Sequence, residues 1–196
     1  HELPPIAQTT LYRAMENRQI FLDCKRGKKS RPLKIANFTI LGATTDPQKL
    51  LQPLRDRFKL VLDYQFYTAQ ELEAMLTIRV QQLGWIVEDS VFALIAQRGK
   101  GVPRIALRLL ESVRMLASSL NEEVVRVDHF HRTCQIESID PKGLTGNEVK
   151  YLKILYENDG TSRLNVIASR LGLNPKHVSL IIEQILIREG LVTKNN

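Results

Sequence analysis

The stretch Gly172-Leu173-Asn174-Pro175 limits the fold more sharply than any other part of this sequence, because it separates two runs of helical periodicity. Gly172 suits the left-handed conformation that ends a helix, Asn174 suits the cap of the next, and Pro175 fits its first position. Downstream, Val178, Ile181, Ile182, Ile185 and Leu186 recur at helical spacing, which predicts one buried face. Two helices joined by so short a turn make a helix-turn-helix. Lys176, His177, Ser179 and Glu183 fall off the apolar stripe. Residues 191–196, which include Lys194, read as the first strand of a wing. These polar positions are candidates for contact with a nucleic-acid groove or backbone. The plainer alternative is a unit of this shape that binds protein, or nothing.

The chain before this unit changes character twice. Residues 140–143, "DPKG", form a turn-rich hinge, and Thr145 with Glu148 predicts a capping box ahead of "NEVKYLKILYE". Residues 67–139 read as four helices. Thr68 and Glu71 cap "AQELEAMLTIRVQQL", which Gly84 stops; "EDSVFALIAQRGKG" ends in glycine; Pro103 opens "PRIALRLLESVRMLASSL"; "VDHFHRTCQI" is the fourth. Residues 1–66 read as mixed α/β. "IAQTTLYRAMEN" places Ile6, Leu11 and Met15 near helical spacing, and "QIFLD" and "PLKIA" predict a hairpin around the basic tip "CKRGKKSR". "FTILGATT" is expected as a strand buried on both faces, and "FKLVLDYQF" as a further strand. The fold class is therefore mixed α/β followed by all-α: a partial α/β core, a four-helix lid and a C-terminal winged helix.

Three places carry chemistry. Thr45, at the tip of the expected buried strand, lies where open α/β sheets bind ligands, and its hydroxyl suits a water or a phosphate oxygen. The structural alternative is that Thr44 and Thr45 end the strand and cap "DPQKLL". Arg55 and Arg57 flank Asp56 at a helix end, and guanidinium groups match phosphate. An arginine offered to a neighbour's nucleotide raises rates by roughly 10³–10⁵, whereas a surface ion pair contributes little. Arg104, behind Pro103, puts a cation at a helix N-terminus against the dipole, which points to an anion nearby or to a side chain in solvent. No phosphate-binding loop exists: Gly27-Lys28 lacks the glycine required at position 22, which is Leu22. The four histidines have no metal-ligand spacing.

The net charge of +7 and a pI near 9.5 favour a polyanionic partner. No apolar run approaches the ~18 residues of a membrane span. Cys24 and Cys134 build no disulfide framework, which points to a reducing, intracellular compartment.

"LYRAMEN", "FTILGATT", "PLRDRF", "FYTAQELE" and "RGKGVPRIALRLLESVR" occur in order, and together they resemble the RuvB family, AAA+ motors that drive branch migration of Holliday junctions. The resemblance runs over essentially the whole chain and is weaker in the last unit. It implies the second half of an AAA+ ATPase core at residues 1–66, the AAA+ lid at 67–139, and a winged helix at 140–196. It implies that Thr45 is sensor 1, that Arg57 is the arginine finger acting on the adjacent subunit, and that Arg104, with Pro103 beside it, is sensor 2. It aligns the hairpin at residues 19–36, including Ile20, Leu22, Lys25, Arg26, Lys28 and Lys29, with the hairpin that docks on the junction-binding protein RuvA. It implies ATP with Mg²⁺, four-way junction DNA, a hexamer and a cytoplasmic location. Val102 stands where the family usually has Thr, and the hairpin tip is basic where the family's is more apolar. The chain starts "HELPPIAQ" without Met and is expected to be a fragment lacking Walker A and Walker B. It is therefore expected not to hydrolyse ATP alone, and residues 1–66 are expected to be poorly independent. Two other readings remain open: a clamp-loader or initiator type of AAA+ ATPase, and a non-catalytic DNA-binding adaptor with a vestigial ATPase half.

Overall fold

The structure, a computed structural model, describes residues 3–22 and 31–194, apart from the side chains of Phe21, Leu22 and Arg31. The chain divides into two compact units, His1–Tyr64 and Gln65–Asn196.

In the first unit, helix α1 (Pro5–Asn17) starts with proline in its first turn and ends at Arg18, which takes a left-handed φ of 55°. Its buried positions are Gln8 and Ala14, while Ile6 is exposed. The expected hairpin forms: β1 (Gln19–Leu22) pairs antiparallel with β2 (Arg31–Lys34), Gln19 opposite Lys34. Its tip, with Cys24, Lys25, Arg26, Lys28 and Lys29, lies outside the described residues. The two further strands expected here do not form. Residues 38–45 and 58–66 have no strand pairing among the described residues, and Leu41 is 95% exposed. A strand needs neighbours for its N–H and C=O groups, and an apolar run without them leaves its side chains in solvent.

The single helix expected over "DPQKLL" is also broken. A 3₁₀ turn (Pro47–Lys49) is followed by extended Leu50 and Leu51, then the one-turn helix α2 (Gln52–Arg55). Pro53 has no N–H to offer the carbonyl four residues back, that of Lys49, so a continuous helix would lose that bond. Buried Gln8 serves the break instead: its Oε1 accepts the Leu51 N–H at 2.8 Å, and its Nε2 lies 3.5 Å from the Lys49 carbonyl.

The second unit begins with the lid. Helix α3 (Ala69–Leu83) is capped as expected: Thr68 Oγ1 accepts the Glu71 N–H at 3.2 Å, and Glu71 Oε2 accepts the Thr68 N–H at 2.8 Å. The Thr68 N–H, and then the Thr68 hydroxyl at 2.9 Å, hold the Glu71 carboxyl below its usual value. Helices α4 (Asp89–Arg98), α5 (Pro103–Ser119) and α6 (Val127–Ile136) complete the four. A short parallel pairing, β3 (Ile86–Val87) with β4 (Val124–Val125), was not evident in the sequence. The core is built by Leu72, Leu76, Val91, Ile95, Leu110, Val113 and Phe130, all fully buried. Each such side chain contributes about 1.5–3 kcal/mol by leaving water. The Arg98 guanidinium lies 4.7 Å from the Phe130 ring centroid, donates to the Leu94 carbonyl at 3.2 Å, and leaves its Nε buried without a partner among the described residues.

The winged-helix part follows without a loose linker. Asp140 Oδ1 accepts the N–H groups of Lys142 and Leu144 at 2.9 and 2.7 Å, and Gly143, at φ 80°, sits where a Cβ would come within 3.0 Å of the Arg98 backbone. At the start of α7 (Gly146–Glu157), Glu148 Oε2 accepts the Thr145 N–H at 2.6 Å and the Lys100 ammonium at 2.8 Å. The Lys100 and Glu148 side chains are only 4% and 3% exposed. The turn after α8 (Leu164–Leu171) matches expectation: Gly172 has φ 68°, and Asn174 Oδ1 accepts the Lys176 N–H at 2.8 Å.

The second helix of the pair differs from expectation. It runs through α9 (Pro175–His177), a π-turn (Val178–Ile182) and α10 (Glu183–Arg188). The extra residue in the π-turn rotates the helix, so Val178, Ile182 and Leu186 are buried while Ile181 is 50% exposed. The rotation also brings Glu183 inward, where it accepts hydrogen bonds from Tyr151 Oη and Ser179 Oγ, both at 3.1 Å, and pairs with Lys194 at 3.3 Å. Residues 191–194 form no strand.

Two outcomes follow from these contacts. Gly101 and Gly160 are both left-handed, so alanine at either costs about 1 kcal/mol for backbone conformation. Gly101→Ala should cost more, because its methyl meets the Tyr67 carbonyl at 2.8 Å and Phe66 Cβ at 2.9 Å, while Gly160 has open space. Urea midpoints compare the two variants directly, and equal losses would show that the turn has room. Burial, and then the Glu183 carboxylate, push the Tyr151 phenol up to about 12 from an ordinary 10.0. The unfolded chain then gives up this proton first, so stability is intact below pH 10 and falls as pH rises towards about 12. Tyr151→Phe should remove that segment of alkaline sensitivity in unfolding titrations; an unchanged profile would mean the phenol is not held protonated.

Candidate phosphate and nucleic-acid sites

In the first unit, Thr44 and Thr45 divide the roles the sequence left open. Thr44 Oγ1 accepts the Asp46 N–H at 3.0 Å, which makes Thr44 the turn former at this corner. Thr45 is exposed, with its hydroxyl not committed to that turn. Arg55 closes α2, and Arg57 follows it with its N–H on the Leu54 carbonyl at 3.2 Å. The anchor for this end is Leu54, fully buried. The Arg57 guanidinium rests on Glu16 of α1 at 2.5 Å, with the two side chains 42% and 45% exposed. An ion pair as exposed as this contributes no more than about 1 kcal/mol. Arg57 is therefore held out from the surface but is cheap to release.

In the second unit, Arg104 is exposed on the first turn of α5 and makes no hydrogen bond or ion pair among the described residues. Pro103 sets the helix start and donates no hydrogen bond, so its part at this end is shape. The N-cap is Val102, with extended backbone and no side-chain bond; its carbonyl accepts the N–H groups of Ile105 and Ala106 at 3.0 and 3.2 Å, and Pro103 has no N–H, so the Arg104 N–H is the one at this end that stays available to an anion among the described residues.

On the winged helix, Lys176 and His177 are exposed in the first turn of the second helix. Ser179 is half-buried and donates to Glu183, so it is already engaged. Glu183 is buried and does not face outward. Lys194 keeps 59% of its side chain exposed while paired with Glu183. The rotated helix also presents Leu180, Ile181, Gln184 and Ile185, which with Phe66 and Arg188 line a shallow depression of about 350 Å³. Ile20 lies on β1 opposite Leu33, and nothing of the Leu22 side chain is described.

The sequence did not reveal the partners of these groups. Nothing in the sequence marks Glu16, Gln8 or Lys100 as a long-range partner. Glu148 was legible as a cap but not as one half of an ion pair 48 residues long in sequence. Only the pairing of a capping glutamate with a lone loop lysine would have hinted at it, and that pattern is common.

Each group by itself suits a phosphate oxygen: the Thr45 hydroxyl and the Arg57 guanidinium in the first unit, the Arg104 guanidinium in the second. Among the described residues no cluster of His, Cys, Asp or Glu is placed to hold a metal ion, and no helix is long and apolar enough to cross a membrane.

Three family descriptions match in succession: the Holliday junction DNA helicase RuvB P-loop domain at residues 1–64, the RuvB AAA lid domain at 67–140, and the RuvB C-terminal winged helix domain at 141–196. The Holliday junction branch migration complex subunit RuvB of Fervidobacterium nodosum is 30% identical over 99% of this chain, and that of Bifidobacterium adolescentis 35% identical over 99%. The chain spans 57% and 55% of the length of these two relatives. Among solved structures, the Thermotoga maritima RuvB Holliday junction branch migration motor superposes with a TM-score of 0.78 at 30% identity, covering 100% of this chain and 62% of that one. A single-residue mutant of the same protein gives 0.81 at 30% identity, again with 100% and 62% covered. With RuvB descriptions matching in order from residue 1 to residue 196, the chain belongs to the RuvB family.

Proposed function

We propose that the protein containing this chain is an ATP-driven motor that moves four-way DNA junctions, working as a hexamer with a junction-binding partner of the RuvA kind in the cytoplasm. The observation that carries this reading is the conjunction of three RuvB matches in order with Thr45, Arg57 and Arg104 all at exposed positions. The relatives are named as subunits of a branch migration complex, and the solved neighbour as a branch migration motor.

Bound ATP, with its Mg²⁺, supplies the phosphoryl group whose loss drives movement. This chain's own residues supply contacts to it. The Thr45 hydroxyl orients a water or a phosphate oxygen. Arg57 leaves Glu16 and places its planar fork against the charge that builds on a neighbouring subunit's phosphate. The weakness of the Glu16 pair makes that exchange nearly free of cost. Arg104 holds a phosphate at the start of α5, where its charge and the helix dipole act together on an anion. None of these groups supplies a carboxylate to the Mg²⁺. Lys176, His177 and Lys194, with Ser179 behind them, meet DNA phosphates, and the basic hairpin tip meets the junction-binding partner.

The test is ATP hydrolysis by the full-length natural protein with and without four-way junction DNA. Junction-stimulated turnover is expected, with Arg57→Ala lowering it by roughly 10³-fold or more while nucleotide binding stays within a few-fold. Equal loss of binding and turnover would remove Arg57 from the finger role. Absence of turnover with DNA binding intact would replace the motor with the adaptor.

A further inference from the structure

The turn that delivers Arg104 to its position is pinned from two sides. On one side the Gly101 carbonyl accepts the Tyr67 N–H at 3.0 Å, an approach so close that no side chain fits at Gly101. On the other side stands the winged helix, through Glu148 on Lys100 and Gly143 against the Arg98 backbone. Lys100 itself is left-handed, at φ 50°. A residue with a side chain keeps that conformation only where its surroundings hold it. Here the holding contact is the buried carboxylate of Glu148. The Val102 N–H closes the same turn on the Gly99 carbonyl at 2.8 Å, and Pro103 then starts α5 with its φ fixed. Between Lys100 and Arg104, Gly101 is clamped by Tyr67, Val102 is tied to Gly99 by its N–H, and Pro103 has a fixed φ.

We propose that Glu148 is a positioning residue for Arg104: acting through Lys100, it lets the winged helix set the geometry of the lid's phosphate-sensing arginine. The proposal rests on the reading of Arg104 as such an arginine. Coupling of this kind is reciprocal, so phosphate on Arg104 also favours the winged-helix placement seen here.

The test separates positioning from folding. Glu148→Gln keeps an acceptor for the Thr145 N–H but strands Lys100, whereas Lys100→Met with Glu148→Gln removes both charges and leaves none uncompensated. In this chain, amide exchange at Val102 and Tyr67 should rise about tenfold in the double variant while amides of α8 keep their protection. Unchanged exchange at both overturns the proposal. In the full-length natural protein, the double variant should lower kcat for ATP about tenfold at an unchanged Tm. Lys100→Arg should retain activity, and the double variant should add nothing once Arg104→Ala is present. Wild-type kcat in the double variant, or losses that multiply with Arg104→Ala, sink the proposal alone. Full activity in Arg104→Ala itself removes the reading of Arg104, and this proposal with it.

Discussion

The Lys100 ammonium and the Glu148 carboxylate leave water together, and the arrangement of the larger unit depends on that pairing. Either charge alone in this position is costly: breaking a buried pair by removing one partner typically costs about 3–5 kcal/mol. The pair is not an efficient source of stability, since two apolar side chains of like volume do as well. It confers specificity instead. A slip of the winged helix against the lid that separates the two groups leaves an unsolvated charge behind, so one placement is selected over its neighbours. Gly143 on the Arg98 backbone and the Asp140 turn shape the same junction, and the hinge expected at residues 140–143 is a fitted corner.

The first unit is organised differently. Its core hangs on Gln8 and Leu54, which hold α1 against the broken segment before α2. Around that small core, residues 58–66 carry Leu60, Val61, Leu62 and Tyr64 to the surface. Apolar extended chain in water gains nothing from burial. Arg57 belongs to this unit, and its exposed pair with Glu16 is the opposite of the Lys100 pair: cheap to form, cheap to exchange.

What could be read from the sequence was whatever local chemistry decides. The Thr68–Glu71 box, the Pro103 start, the Gly172 stop and the Asn174 cap are each fixed within a few residues, and each is where it was expected. The failures share a cause. "FTILGATT" has strand composition, but strands need partners that composition does not supply. "DPQKLL" has helical spacing, but Pro53 beyond it breaks the run. The stripe through Ile181 was right for a regular helix, and one extra residue in the π-turn rotated it. At the candidate sites, residue types were legible for Thr45, Arg57 and Arg104, while the long-range partners Glu16 and Glu148 were not, because nothing local marks which charge will meet which.

The direct measurement of this account is the distance distribution between a spin label on the lid at Met115 and one on the winged helix at Tyr156, both exposed. Cys24 and buried Cys134 would be replaced first, so that only the introduced cysteines react. A single narrow distribution in the otherwise native chain, broadened when Glu148→Gln is added, is the result predicted for two parts locked by one buried ion pair. A distribution equally broad with and without Glu148 would contradict it, and would make the junction a hinge after all.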